Sequence, residues 1–207
     1  MKKVFLAVSI IVLNSLSAQT QLSVKAHLIV PTSSSNWSDI NKAMLTTYSE
    51  SGKNSMGYNI GLSAKTKLPG NSFFLMPEVY YTEYKNEFVE PSYNTNLVAN
   101  TKRIDVPVLL GANIFENYFS VFVGPIAHIN LKSNDTFNDI VISKNNTQFN
   151  LGYQIGAEIS IEKIIISGRY EGSFSKDDRQ FINNSTGTEI NYTNSQNVLY
   201  LGLGYIF

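Results

Sequence analysis

The sequence predicts an all-β fold: an eight-stranded antiparallel up-and-down transmembrane β-barrel, preceded by a cleaved signal peptide. Three observations lead to this prediction. Apolar and polar residues alternate along eight segments, and the connections between these segments are alternately short and long. The chain also ends in Phe207, an aromatic residue that closes a strand of period two, as outer-membrane barrels do.

The eight segments have the alternation expected of strands and are 22–30, 56–67, 72–84, 102–114, 118–131, 148–161, 163–174 and 197–207. The short connections are 68–71, 115–117 and the residues around Glu162. The long connections are rich in Asn, Ser, Thr and Asp and comprise 31–55, 85–101, 132–147 and 175–196. Short turns on one side of a membrane and long loops on the other are typical of bacterial outer-membrane barrels.

The strand 148–161 shows the alternation over its whole length. Its odd positions carry Phe, Leu, Tyr, Ile and Ala, and its even positions carry Gln, Asn, Gly, Glu and Ser. A side-chain period of two places the apolar set toward lipid and the polar set toward the interior. By the same rule most strand glycines face inward, where we expect them to leave room for long polar side chains from the opposite wall. These are Gly57, Gly61, Gly111, Gly124, Gly152, Gly156, Gly202 and Gly204.

Aromatic residues on the outward face fall near the two ends of the strands, with aliphatic residues between them. Two such belts are expected at the two membrane interfaces. Prolines inside the strands disturb this pattern. Pro77, Pro107 and Pro125 each remove a ladder hydrogen bond, so we expect a β-bulge at each of them.

The N-terminus has the three regions of a secretory signal peptide. Lys2 and Lys3 form a basic region, 4–13 is apolar, and Ala18 suits the position before the cleavage site. An anchoring helix is the alternative, but ten apolar residues are too few for a bilayer that needs about 20. We therefore predict a signal peptide at 1–18 and a barrel domain at 19–207.

Composition excludes several classes of function. The chain has no Cys, which rules out disulfides, thiolate metal sites and thiol nucleophiles. Removing Lys2 and Lys3 from 16 basic and 16 acidic residues leaves a net charge of −2, and no basic stripe is present to bind nucleic acid. No cofactor is expected.

Several motifs, in order along the chain, resemble those of the PorT-like outer-membrane β-barrel family: 75–81 (LMPEVYY), 103–110 (RIDVPVLL), 123–125 (VGP), 168–170 (GRY) and 201–207 (LGLGYIF). The resemblance extends over about 55–207, with Asp105 where Glu is commoner and with loops that match nothing recognisable. It implies an eight-stranded barrel in the bacterial outer membrane and no defined activity, although one branch of the family serves protein secretion.

Four basic and four acidic residues are predicted to face the interior: Lys25, Lys65, Glu78, Arg103, Asp105, Glu158, Arg169 and Glu171. An eight-stranded barrel is just wide enough for side chains to fill it, and an unpaired buried ion costs several kcal/mol. We therefore expect a salt-bridged, plugged interior with a structural role. The alternative is a gated ion or proton path, with Glu78 and Arg169 as the gate.

His27 and His128 also face inward by parity. An outer-membrane acyltransferase or protease would need such a His beside a Ser or an Asp, and Ser23 and Asp105 are inward candidates. No motif supports this pairing and a polar interior accounts for both residues, so we predict no enzymatic activity. Two His are also too few for a zinc site, so no metal is expected.

The long connections carry aromatic residues that could contact a partner, namely Trp37, Tyr48, Phe88 and Tyr93. The alternative is a merely solubilising or disordered surface. We predict a monomer that contacts outer-membrane lipid and could bind an envelope or surface protein through its loops, in protein secretion or envelope assembly. A narrow conduit or binder for small solutes or hydrophobic molecules, and a lipid-modifying enzyme, are the other hypotheses.

Overall fold

In a computed structural model of the chain, the structure describes residues 20–32, 35–41, 46–54, 56–70, 72–90, 95–115, 118–131, 140–145, 149–174, 177–183, 189–194 and 197–207. The predicted signal peptide at 1–18 and the loop residue Tyr93 lie outside them. Across the described ranges, no helix is long and apolar enough to cross a membrane.

The described residues form strands β1 (Thr20–Pro31), β2 (Ser35–Asn41), β3 (Thr46–Asn54), β4 (Gly57–Lys67), β5 (Phe73–Glu90), β6 (Thr95–Phe115), β7 (Phe119–Asn130), β8 (Ile140–Asn145), β9 (Phe149–Ile161), β10 (Ile164–Ser173), β11 (Asp177–Asn183), β12 (Glu189–Asn194) and β13 (Val198–Ile206).

Eight strands close into an antiparallel ring in the order β1, β4, β5, β6, β7, β9, β10 and β13. Closure occurs at β1, which pairs with β4 on one side and with β13 on the other. The backbone N–H of Phe207 donates to the carbonyl of Leu22 at 3.1 Å, so the last residue also joins this seam. The predicted eight-stranded barrel is confirmed, and each of its strands overlaps a segment predicted from the alternation.

The two ends of the barrel differ, and we name them by their connections. The turn end carries the short connections and the chain end at Phe207, and the loop end carries the long connections. In the tightest turn, between β9 and β10, Glu162 has a φ of 53°. A left-handed residue is what a two-residue hairpin needs to match the twist of its strands.

The long connections contain more regular structure than the sequence predicted. β5 and β6 continue as one hairpin to Glu90 and Thr95, beyond the predicted strand limits. The strands β8, β11, β12, β2 and β3 pair in that order, and β3 joins β5 through Lys53 and Asn54. The Asn- and Ser-rich composition of these segments hid their strands, because such residues have low β propensity and strands there depend on pairing with neighbours.

The bulges expected at the prolines are absent, so this prediction is wrong. Pro77 pairs with Val108, Pro107 with Ile126 and Pro125 with Tyr153, and the register is the same on both sides of each proline. The register shift within β6 instead falls between Asn113 and Phe115. A slip by one residue would turn every later side chain to the wrong face, so the alternation holds the register although a proline cannot donate to the ladder.

The two faces are sorted as predicted. Exposed large apolar side chains occur on all eight barrel strands, whereas the inward side chains are buried. Tyr58, Phe149 and Phe174 are exposed near the loop end, and Phe73 and Tyr205 are exposed near the turn end. Two aromatic belts therefore flank an aliphatic band, as in a barrel that spans a bilayer.

The inward glycines do leave room, but mainly for rings of the neighbouring strand rather than for polar side chains of the opposite wall. A Cβ at Gly111 would collide with the Phe74 ring, and one at Gly156 would lie 2.7 Å from the Phe122 ring. Gly111 pairs directly with Phe74, and Gly156 with Phe122. Each of these rings therefore lies over the glycine of its paired strand.

We predict that Gly111→Ala destabilises the barrel because the added methyl group overlaps the Phe74 ring, at a cost of about 1–3 kcal/mol for overpacking. Gly168→Ala is the matched control, since a Cβ at Gly168 meets no atom within 4 Å. The measurement is the urea midpoint for loss of the fast-migrating, unheated band on a detergent gel. Equal midpoints for the two variants would contradict the prediction, and Phe74→Leu should partly rescue Gly111→Ala.

Candidate functional site in the barrel interior

The structure places all eight predicted charged side chains inside the barrel. They come from six of the barrel strands: Lys25 from β1, Lys65 from β4, Glu78 from β5, Arg103 and Asp105 from β6, Glu158 from β9, and Arg169 and Glu171 from β10. Seven of these residues are buried and Lys65 is partly buried. They form two networks that differ in height along the barrel.

The turn-side network consists of Lys25, Lys65, Glu78, Glu158 and Arg169. The Lys25 ammonium lies 3.1 Å from Glu78 and 2.9 Å from Glu158, and Lys65 lies 2.9 Å from the other oxygen of Glu158. Glu158 is therefore shared by Lys25 and Lys65, and Glu78 is shared by Lys25 and Arg169. Such sharing satisfies more of the lone pairs of a buried carboxylate than an isolated pair would.

The pair of Arg169 and Glu78 connects opposite walls of the barrel, because four steps around the ring separate β10 from β5. Both terminal nitrogens of the Arg169 guanidinium bind the carboxylate of Glu78: Nη1 contacts Oε2, and Nη2 donates to Oε1 at 3.1 Å. A two-pronged contact of this kind fixes orientation as well as distance. The side chains consequently cross the interior and obstruct it.

The loop-side network consists of Arg103, Asp105, His128, Glu171 and Tyr200. Arg103 Nε lies 2.8 Å from Asp105, and Arg103 Nη2 donates to Glu171 at 2.9 Å and to the Tyr200 hydroxyl at 3.0 Å. The Tyr200 hydroxyl in turn donates to Glu171 at 2.7 Å. His128 Nδ1 lies 2.8 Å from Asp105 and Nε2 lies 3.3 Å from Glu171.

The two networks are unequal in charge and compensate each other. The turn-side network holds three cations and two carboxylates. The loop-side network holds one guanidinium and two carboxylates, and His128 lies between these two carboxylates. Four permanent cations therefore balance four carboxylates over the whole interior. Balanced signs are what a low-dielectric interior requires, since an uncompensated ion there costs several kcal/mol.

The histidines have partners that the sequence did not identify. His27 Nδ1 lies 2.7 Å from Asn59 Oδ1, and His27 Nε2 lies 3.1 Å from the Ser167 hydroxyl. Asp105 does contact a histidine, His128, but Ser23 forms no part of either arrangement. Ser167, His27 and Asn59 have the bonding order of a catalytic triad, yet Ser167 is only 4% exposed. Buried polar groups need such partners whether or not chemistry occurs.

An apolar cluster closes the interior beside the turn-side network. It consists of Phe74, Met76, Leu109 and Phe122 and is fully buried. Cations lie against its surface: the Lys65 ammonium is 4.1 Å from the Phe74 ring centre, and the Arg169 guanidinium is 4.9 Å from that of Phe122. Rings that attract cations on one side and exclude water on the other separate the charges from the turn end.

The aromatic residues predicted as partner contacts are distributed over the loop end. Trp37 lies in β2 opposite Glu50, Tyr48 lies in β3 opposite Asp39, and Phe88 lies in β5 opposite Leu97. Three of the four residues are therefore held by paired strands, and Tyr93 is the one outside the described residues. Over the described ranges, no group of three or more His, Cys, Asp or Glu is arranged to hold a metal ion.

The uncharged members of the loop-side network were not predicted from the sequence. Tyr200, Gln154 and Thr82 all bind its carboxylates, with Gln154 donating to Glu171 at 3.0 Å and Thr82 to Asp105 at 2.6 Å. Parity does place each of these residues on an inward face. It does not identify their partners, because these come from strands far apart in sequence.

Comparison with known proteins agrees with this architecture. Residues 16–178 match the profile of the family described as outer membrane protein beta-barrel domain. The fold is similar to that of the outer membrane protein OprG from Pseudomonas aeruginosa, with a TM-score of 0.60 and 12% identity over 91% of this chain and 96% of that chain. It is also similar to the outer membrane protein AlkL in lipid bilayers, with a TM-score of 0.55 and 13% identity over 91% of this chain and 90% of that chain. No curated protein matches the sequence.

We predict that Glu78→Gln lowers the free energy of unfolding by about 3–5 kcal/mol, because it removes the buried counter-charge of Arg169 and one of the two carboxylates that bind Lys25. The measurement is urea unfolding in detergent micelles. Lys102→Ala is the matched control: the Lys102 ammonium lies 3.9 Å from Glu83, and the Lys102 side chain is 40% exposed. Loss of such a surface pair should cost only about 0–1 kcal/mol. Equal losses for the two variants would show that the interior charges do not stabilise the barrel.

Proposed function

Since the chain belongs to the family of outer membrane protein β-barrel domains and lies in the bacterial outer membrane, we propose that it is a sealed, non-enzymatic barrel that presents its loop end to a protein partner. The observation that carries this proposal is the pair of Arg169 and Glu78, which joins opposite walls across the interior. Side chains that cross the barrel leave little room for a solute to pass.

The loop end supports the second half of the proposal. Strands from the long connections pair with one another, and they join the barrel sheet where β3 meets β5. Paired backbone holds the loops in a smaller set of conformations than free chain would have, which lowers the entropy that binding must overcome. Trp37 and Tyr48 lie in this part and are residue types that commonly anchor protein contacts. An envelope or surface protein is the partner that this end would meet.

The remaining assignments are parts of the same proposal. A cleaved signal peptide at 1–18 would deliver the barrel domain at 19–207 to the envelope, and the barrel would act as a monomer. The five motifs that resemble the PorT-like family fall on β5, β6, β7, β10 and β13. Membership of that family, one branch of which serves protein secretion, would give the barrel a role in secretion or envelope assembly. A conduit for small or hydrophobic molecules is the alternative function.

Conductance distinguishes a sealed barrel from a conduit. We predict that the wild-type protein gives no steady open channel in planar lipid bilayers, because the two charge networks and the cluster of Phe74, Met76, Leu109 and Phe122 fill the interior. The double variant Glu78→Ala, Arg169→Ala should give conductance steps, since it removes two side chains that cross the barrel. The double variant Glu83→Ala, Lys102→Ala removes an ion pair of the outer wall and should remain silent. Stable unit steps in the wild type would refute the sealed barrel.

Cross-linking in intact cells tests the partner. We predict that a photoreactive residue at Trp37 or Tyr48 yields one discrete protein adduct, identified by mass spectrometry, because both positions lie on paired strands at the loop end. The matched control places the same residue at Lys163, in the turn between β9 and β10, and should not yield that adduct. The absence of any discrete adduct from both loop positions would count against the partner and leave the sealed barrel untouched.

A further inference from the structure

The outer wall carries a groove of about 580 Å³ that the proposed function does not use. It crosses four neighbouring strands, β4, β1, β13 and β10, and its side-chain lining comprises Ala26, Leu28, Tyr58, Ile60, Ile166, Leu201 and Leu203. All of these residues lie on the lipid-facing side of the barrel. His27, Asn59 and Ser167, whose side chains face the interior, also belong to the lining because they form part of the wall at the floor of the groove.

Ala26 is the smallest of the outward side chains that line the groove. Ala26 pairs with Ile60 on one side and with Leu203 on the other, and Leu28 occupies the next outward position. The side chains at its rim stand out from the wall, with Leu201 and Leu203 exposed by 63% and 64%. The depression therefore lies over Ala26, between ridges of branched aliphatic side chains.

A depression in this position cannot remain empty or hold water. It lies within the aliphatic band, where the lining offers a water molecule too few polar partners. An unfilled space would also forfeit the dispersion contacts of every atom that lines it. For comparison, an apolar cavity of only about 150 Å³ is enough to bind benzene. The occupant must be a hydrocarbon, and one considerably larger than a single ring.

We propose that the groove is a binding site for one acyl chain of a membrane phospholipid, held more tightly than the lipid around the rest of the barrel. A second copy of this chain fits less well. A stable protein interface buries about 1,200–2,000 Å², whereas this groove is a local depression on a convex wall. An acyl chain is narrow and flexible, so it can lie between the ridges without a flat surface on either side.

The rim at the loop end gives the lipid an orientation. The Tyr58 hydroxyl donates to Glu83 at 3.1 Å, and Tyr81 donates to the same carboxylate oxygen at 3.2 Å. The Lys102 ammonium lies 3.9 Å from the other oxygen of Glu83. Polar groups on the lipid-facing side mark the level of the headgroups, so the chain extends from this level into the groove.

The experiment is native mass spectrometry of the full-length barrel released from phosphatidylcholine nanodiscs. The wild type should retain one phosphatidylcholine molecule under activation that strips the other lipids. Ala26→Leu fills the groove and should lose this retained lipid. Ala127→Leu is the matched control. Like Ala26, Ala127 lies between two aliphatic neighbours, Val106 and Leu151, but it is on β7, on the other side of the barrel. The Ala127→Leu variant should retain the lipid.

Three results would overturn the proposal. Equal lipid retention by the wild type, Ala26→Leu and Ala127→Leu would mean that the groove binds no more tightly than the surrounding wall. If the wild type retains no lipid, the groove likewise binds lipid no more tightly than the surrounding wall. A mass of two chains that Ala26→Leu abolishes would identify a second copy as the occupant. If Ala26→Leu fails to give the fast-migrating folded band, Leu203→Ala, which lowers the rim, should likewise release the lipid.

Discussion

Hydrocarbon cannot hydrogen-bond to the backbone, and this fact governs the whole architecture of the barrel. Every backbone N–H and C=O that enters the bilayer needs a partner within the protein, so a sheet in lipid must have no free edge. Eight strands meet this condition when β1 pairs on both sides, and Phe207 extends the seam to the last residue. Even the prolines, which cannot donate to the ladder, leave the register of the ring unchanged.

A ring of eight strands determines what the interior can hold. Its width brings side chains from opposite walls within bonding distance, as the pair of Arg169 and Glu78 shows. Ions so far from water must compensate each other, which explains why the two unequal networks balance only when they are taken together. Where rings rather than ions fill the space, glycines on the paired strand make room, as Gly111 does for Phe74. Closure, filling and charge balance thus follow from one constraint.

If the interior is sealed, as proposed, contacts with other molecules are made at the loop end and on the outer wall. At the loop end, paired strands extend the barrel sheet, and these strands carry the proposed contact with a protein partner. On the wall, the same alternation that keeps aliphatic side chains in lipid leaves a groove over Ala26. On the inner side of the same strands, Ser167, His27 and Asn59 hydrogen-bond to one another.

The amino-acid sequence alone predicts the barrel, the position of each of its eight strands and the face on which each side chain lies. These properties are local: a period of two along 148–161 is visible in the residues themselves, and hydrocarbon on one face makes the period strict. It also identified the eight inward charges, because charge and parity are both written along the chain. Asn- and Ser-rich strands such as β2 and β12 escaped, since pairing rather than propensity determines them.

Which inward residues contact one another depends on the closed ring of strands. Lys25 binds Glu158, 133 residues away, and no local pattern encodes that contact. The partners of His27 and His128, the bonds of Tyr200 and the glycine beneath each ring all depend on how far the strands are staggered around the ring. The groove over Ala26 likewise needs four strands in register. Alternation assigns a side chain to a face, whereas its neighbours on that face are set by closure.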